Sequence, residues 1–399
     1  MKKDHRFLKG ALVGALAMFC VLFIGGEILD AAVGIGLIPA FTKKAKVESK
    51  LKFLDHIIDS DFLFREDVTD EELTEGLYKG YMAALGDPYS NYFTKEETDE
   101  IFDNLKGEFY GIGVVMSQDR TTGVIRATQV YENSPAAKAG LKEGDVFLQV
   151  DDHEITDESI DEVASWVKGD KDTAVTLRVL RPDGEEVEVT AIRDVVKAIT
   201  VQYEMKENQT GYIYIQEFDD VTLQQFQDAL TDLESQGMEG LVIDLRNNPG
   251  GNLDTVVDML RLMLPKGDIV SIRDRNGEQK KYTSDGDHVF EKPLVVLVNQ
   301  YSASASEIFS GAIQDCKVGQ IVGMTTFGKG IVQDILTLGD GTSMKLTTAE
   351  YFLPSGRSIH GEGVAPDVEV EFVYDEVNPE SDNQLDEALK IIEEQIKNK

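Results

Sequence analysis

From Gly211 to Asn299 short apolar runs alternate with longer amphipathic ones, and this alternation restricts the fold more than any other feature of the chain. Gly211–Phe218, Leu241–Leu245 and Leu294–Asn299 have strand length, whereas Leu223–Leu233 and Leu253–Leu264 carry apolar residues at helical spacing. Strands separated by helices of that size predict βαβ units and a largely parallel sheet, hence an α/β (α+β) body. The strand ending at Leu245 runs into Arg246-Asn-Asn-Pro-Gly-Gly-Asn252, a polar turn whose glycines let the backbone approach another molecule closely.

Two further stretches carry candidate chemistry. Asn299-Gln-Tyr-Ser-Ala-Ser-Ala-Ser-Glu307 places serines where a helix begins, and Thr325-Thr-Phe-Gly-Lys-Gly-Ile-Val-Gln333 frames a lysine with two glycines. A serine hydroxyl is a weak nucleophile until an adjacent base takes its proton. None of the five histidines is close in sequence to these serines, though folding could bring one in. A lysine serves as the base only when neutral, which burial in a low-dielectric cleft promotes. Lys329 has small or apolar neighbours, and in an extended chain Lys329, Ile331 and Gln333 share one face. Composition leaves Ser302, Ser304 and Ser306 equally eligible. Ser304 and Glu307 also fit a helix capping box, a role compatible with catalysis because a helix N-terminus favours developing negative charge.

The two stretches together resemble the active site of the carboxy-terminal processing peptidases, or tail-specific proteases, which pair Ser-Ala-Ser-Ala-Ser-Glu with Thr-Phe-Gly-Lys-Gly-x-x-Gln. The resemblance runs from about residue 48 to the C-terminus and includes Gly86-Asp-Pro-Tyr-Ser-Asn-Tyr-Phe93 and the loop Pro354–Asp367. It implies a ClpP/crotonase-like core in which Ser304 is the nucleophile, Lys329 the general base and Gln333 the group that orients the amine. It also implies an oxyanion hole from the amide of Gly250 or Gly251 with that of Ala305, Gly250 being the favoured glycine. Tyr110–Val115 and Ser134–Val150 resemble a PDZ domain inserted ahead of this core. The resemblance makes Gly111, Ile112, Gly113 and Val114 the peptide-carboxylate loop; successive amides in such a loop form an anion nest. The helix facing the groove is expected to include Ile160, Val163 and Val167, whose spacing gives one apolar face.

The expected organisation is residues 1–42 as cytoplasmic tip and membrane anchor or signal, and 43–97 as a helical region. The PDZ domain follows at 98–193, the serine protease core at 194–375 and a charged amphipathic helix at 376–399. The basic N-terminus and the uncharged run Gly10–Gly26, followed by the mostly apolar Ile28–Phe41, predict a single-pass membrane helix. Lysines follow the run as well as precede it, so charge alone leaves the orientation open. The expectation is a cell-membrane protein with an extracytoplasmic catalytic part. A net charge of −34 argues against nucleic acid as a partner. With no His-Glu-x-x-His motif and two cysteines far apart, no metal and no cofactor are expected. The expected activity is serine endopeptidase cleavage of proteins or peptides with free C-termini. Family resemblance adds a homodimer through the N-terminal helices. The competing readings are a PDZ adaptor on an inactive protease fold and an esterase using the same site.

Overall fold

The computed structural model describes residues 37–398, with side chains from residue 46 onward. Most of the expected membrane anchor, residues 1–42, lies outside the described residues. Among the described residues no helix is long and apolar enough to cross a membrane. The described residues divide into two compact units, one ending at Tyr78 and the other beginning at Lys79.

The first unit contains the helix Leu37–Asp61 and the first part of the helix Asp70–Ala83. Arg65, in the connection, pairs with Asp59 at 2.7 Å and with Asp70. Several large apolar side chains stay exposed here, among them Phe53, Ile57, Leu63 and Phe64.

In the second unit the expected alternation becomes a six-stranded sheet. Val201–Met205, Thr210–Ile215, Gly240–Asp244, Leu294–Val298, Gln320–Gly323 and Val368–Glu369 lie side by side in that order. All pairings are parallel except the first. The two central strands are buried at every position, as apolar runs covered on both faces should be. One face packs helices Thr222–Ser235, Leu253–Arg261 and Ala305–Asp315 into the main core, through Phe226, Leu233, Val256, Leu260, Phe309 and Ile313. The C-terminal helix Asn383–Lys397 covers the other face, setting Ala388 and Ile392 against Val242, Val295 and Leu297. A second sheet is built around the long strand Ser343–Phe352, which pairs antiparallel with Ile331–Thr337, Gly267–Asp274 and the short strand Asn91–Phe93. The chain therefore enters the protease body at residues 91–93 before it builds the PDZ domain.

That domain has its own core, separate from the main one, with Ile112, Phe147, Val163, Leu177 and Val179 at its centre. A two-stranded antiparallel ribbon, Glu108–Gly111 against Asp194–Lys197, joins its entry and exit. In the helix Ile160–Val167, Val163 and Val167 are buried in the domain core and Ile160 is partly exposed.

Candidate active site

Three loops at the C-terminal ends of the central parallel strands converge, as expected where ligands bind open α/β sheets. The loop after Asp244 is fixed by Asn248, which is fully buried: its Nδ2 donates to the Ile215 carbonyl at 2.8 Å and its carbonyl accepts from Ala303 N at 3.0 Å. Arg246 anchors the base of that loop, bonding Asp244 at 2.6 Å and Asp382 at 2.7 Å. Asp382 caps the C-terminal helix, so this ion pair locks the last element to the central strand. In the sequence Asp244-Leu-Arg246 reads as strand and turn only. The partner Asp382 lies 136 positions from Arg246, which no local pattern reveals.

The three candidate serines separate cleanly. Ser302 and Ser306 are fully buried and donate to the carbonyls of Leu245 at 2.7 Å and Asn248 at 3.0 Å. Ser304 alone lines a cavity of about 570 Å³ that also reaches Gly251, Ala305, Lys329, Gln333, Lys345 and Tyr351. Its backbone has φ 54° and ψ −112°, a region L-residues rarely occupy. Such strain persists only where the surroundings enforce it. Here the Ser304 N–H donates to the Glu307 carboxylate at 2.8 Å, and the Ser304 hydroxyl makes no cap hydrogen bond to the helix it begins.

Glu307 does more than cap. Fully buried, its carboxylate also accepts from Thr326 Oγ1 at 2.6 Å, Gly328 N at 2.7 Å and Lys329 N at 2.8 Å. One carboxylate thus ties the serine turn to the lysine turn. Buried Tyr351 adds a second tie, its hydroxyl lying 2.7 Å from the Lys329 carbonyl and 3.1 Å from that of Ser304. Burial pushes the Tyr351 phenol well above its usual value and keeps it a donor. The capping-box pattern signalled Glu307, though not its reach to residues 326–329; nothing local signalled Tyr351.

Lys329 is partly buried. Desolvation, with the Lys345 charge nearby, holds its pKa below the ordinary lysine value, against the opposing pull of Glu307 and Asp87. No hydrogen bond joins Lys329 Nζ to Ser304 Oγ; Nζ lies over the Tyr89 ring, 4.8 Å from its centroid. Gln333 lines the same cavity, but its Nε2 donates to Thr347 Oγ1 at 3.4 Å instead of contacting the amine. The simple alternation expected from Lys329 to Gln333 is also broken. The strand starts at Ile331, and an irregularity between Val332 and Gln333 shifts its register. No histidine lines the cavity. Exposed His360 packs its backbone against Gly330, where a Cβ would lie 2.6 Å from His360 N.

The glycine turn revises one site assignment. The Gly250 N–H, expected to face an oxyanion, donates to Asn248 Oδ1 at 2.8 Å and the residue is buried. Gly251 is exposed and lines the cavity with Ala305. Gly250 is needed for contact instead: a Cβ there would sit 2.8 Å from both the Ala303 carbonyl oxygen and Ser304 Cβ. A larger concavity of about 760 Å³, lined by Tyr212, Arg246, Tyr301 and Phe372, contains neither Ser304 nor Lys329.

In the PDZ domain the loop from Gly111 to Val114 turns at Gly113, with φ 78° and Ser134 Cβ only 2.5 Å from where a side chain would begin. The loop is pinned to the short helix Pro135–Ala139 by Ala136 N donating to the Ile112 carbonyl at 2.7 Å. Asp315 accepts from Ser355 N at 2.9 Å and pairs with Arg357 at 3.1 Å.

A cavity-facing serine on an enforced turn, tied through one carboxylate to a partly desolvated lysine, beside a PDZ domain, is the arrangement of a serine-type peptidase. Comparison with known proteins gives the family. Residues 209–370 match the model of peptidase family S41 and residues 126–181 that of the PDZ domain. A carboxy-terminal-processing protease of Bartonella bacilliformis is 37% identical over 309 residues, covering 76% of this chain and 70% of the relative. The carboxy-terminal processing protease CtpA of Bacillus subtilis is 32% identical over 373 residues, 93% of this chain and 78% of the relative. A solved structure of a putative S41 protease from Bacteroides fragilis, 18% identical, covers 86% of this chain and 97% of that one with a TM-score of 0.52, a likeness of fold. The chain belongs to the carboxy-terminal processing protease family and is a serine-type protease that carries a PDZ domain.

Proposed function

We propose that this protein is an endopeptidase cutting proteins near or from their C-termini, with Ser304 as nucleophile and Lys329 as general base. The supporting observation is that Ser304, alone among its neighbouring serines, shares a cavity with a lysine whose ammonium form is disfavoured. Neutral Lys329 accepts the Ser304 proton while Oγ bonds to the scissile carbonyl carbon. The developing oxyanion meets the amides of Gly251 and Ala305, since Gly250 is engaged by Asn248. The ammonium then protonates the departing amine as the C–N bond breaks, leaving an ester on Ser304. Water attacks that ester, with Lys329 taking its proton and returning it to Oγ. Gln333 acts on the amine indirectly, through Thr347 and the strand it sits on.

In this reading the loop from Gly111 to Val114 holds the substrate's terminal carboxylate, and the tail adds a strand beside Val114–Gln118. Tethering there raises the local concentration of chain at the cavity. The N-terminal apolar run anchors the enzyme to the cell membrane with the catalytic part outside. The exposed apolar side chains of the first unit support pairing of two copies.

The test is incubation of the full-length protein with an unfolded, reduced casein, products being read by mass spectrometry. Cleavage is expected to fall at least about a thousandfold in Ser304→Ala and Lys329→Ala. Retention of cleavage in Ser304→Ala would overturn the assignment. An esterase would cleave neither casein nor the same protein with amidated C-termini, whereas the proposed reading predicts cleavage of casein and weaker cleavage of the amidated form.

A further inference from the structure

The segment Asp87–Ser90 precedes the PDZ domain by some distance in sequence, yet it borders the lysine of the candidate site. It is a tightly bonded turn. Asp87 accepts from Tyr89 N at 3.1 Å and from Ser90 Oγ at 2.6 Å. Ser90 Oγ in turn accepts from Thr347 N at 3.0 Å. The strand that follows is in register with the strand of Lys345, Asn91 lying opposite that lysine. These bonds fix the Tyr89 backbone without using its side chain, and the Tyr89 hydroxyl makes no hydrogen bond among the described residues. What the side chain does is present its ring to Lys329 Nζ at 4.8 Å from the centroid, inside the range where an aromatic face attracts an ammonium.

We propose that Tyr89 is a positioning residue for the base lysine: its ring seats the Lys329 ammonium between proton transfers and keeps it within reach of Ser304. The proposal rests on Lys329 being the base and goes further, because it makes a segment outside the matched peptidase region part of the machinery. An ammonium formed in a partly desolvated cavity needs a partner. The charged groups facing Lys329 are Glu307 from the helix after Ser304, Asp87 from the turn and Lys345 from the long strand. Glu307 has its carboxylate committed to four donors, three of them backbone amides. Asp87 accepts within its own turn and from Thr347, and acts on Lys329 through space. Lys345 repels. The ring is therefore the surface left to receive the cation, and being neutral it does so without trapping the amine in an ion pair that could not release the proton. Ring and hydroxyl separate in this account: the face matters and the phenol oxygen does not.

The experiment is the rate of covalent labelling of Ser304 by a fluorophosphonate in the full-length protein as a function of pH, which needs neither a protein substrate nor the PDZ domain. Wild-type labelling is expected to rise with pH along one limb and to be lost in Ser304→Ala. In Tyr89→Leu the ammonium loses its seat, so the limb moves to lower pH by about 0.4 to 1.5 units, equivalent to a 2- to 30-fold change in the protonation constant. Tyr89→Phe restores the wild-type limb and Tyr89→Trp moves it slightly upward. The Trp variant keeps the test decisive should the leucine variant fail to fold. Lys345→Met, removing a like charge, moves the limb the opposite way to Tyr89→Leu. An unmoved limb in Tyr89→Leu, or a Phe variant that behaves like Leu, overturns the seat while leaving Ser304 and Lys329 intact. Labelling that survives Ser304→Ala, or a limb indifferent to Lys345→Met, overturns the base assignment and the seat with it.

Discussion

The turn that carries Ser304 and the PDZ domain are held in opposite ways. Around Ser304 the backbone is fixed by buried polar groups with several partners each: Glu307 binds four donors, and Asn248 joins the glycine loop both to Ile215 and to the serine turn. Such networks are costly to leave half satisfied, so they permit little drift. The PDZ domain is held instead by its own apolar core, and a two-stranded ribbon joins its two ends. Chemistry that depends on sub-ångström placement sits on the first kind of structure. In the proposed function, capture of a flexible tail, which tolerates movement, falls to the second.

The largest effect should come from breaking the polar frame. Glu307→Gln keeps the shape but offers one acceptor oxygen and two unwanted donors to groups that are themselves donors. Breaking a buried charged network of this kind costs about 3–5 kcal/mol. Displacement of the Ser304 and Lys329 turns should lower Ser304 labelling at least about a hundredfold. Thermal unfolding and labelling measured together check it, and a variant that is destabilised yet fully reactive would show that Glu307 supports the fold alone. The PDZ core gives the contrasting case. Val163 is fully buried, and Val163→Ala should cost the domain about 2 kcal/mol. Casein cleavage should then fall while fluorophosphonate labelling of Ser304 keeps its wild-type rate. Equal losses in both assays would mean that the two regions are mechanically one.

The same contrast explains what the sequence disclosed. The parallel sheet was legible because Leu241–Leu245 and Leu294–Asn299 are apolar almost throughout, and burial on both faces leaves that mark locally. The candidates Ser304 and Lys329 came from motif, although composition could not separate Ser304 from Ser302 and Ser306. Burial does that, since the other two hydroxyls are consumed by backbone carbonyls. The glycine assignment failed for a related reason: spacing shows which residues form a tight turn but not which N–H a side chain such as Asn248 captures. Val163 and Val167 were legible as one apolar stripe, but such a stripe records that a face is buried, not against what. Tyr89, Lys345 and Tyr351 reach Lys329 from other parts of the chain, and nothing in their neighbours in sequence signals it.

The smallest expected effect lies at Asp219, in the loop between Phe218, which pairs with the glycine turn, and Asp220, whose N–H donates to the Leu105 carbonyl at 3.1 Å. Asp219 is buried, and desolvation together with Glu217 and Asp220 raises its carboxyl from 3.8 to about 7. A raised folded-state value means that between pH 3.8 and 7 the native state binds more protons than the unfolded chain. Stability contributed by this group is thus present at low pH and lost as pH rises through 7. Asp219→Asn, neutral at every pH, should stabilise the protein by about 1–2 kcal/mol at pH 8 once solvent screening is allowed for, change little at pH 4, and flatten the dependence between them. Unfolding in denaturant at a series of pH values reads this directly. If the wild-type and Asp219→Asn curves run parallel across that window, the carboxylate is already ionised in the native state and the loop between the glycine turn and residue 105 carries no titrating strain.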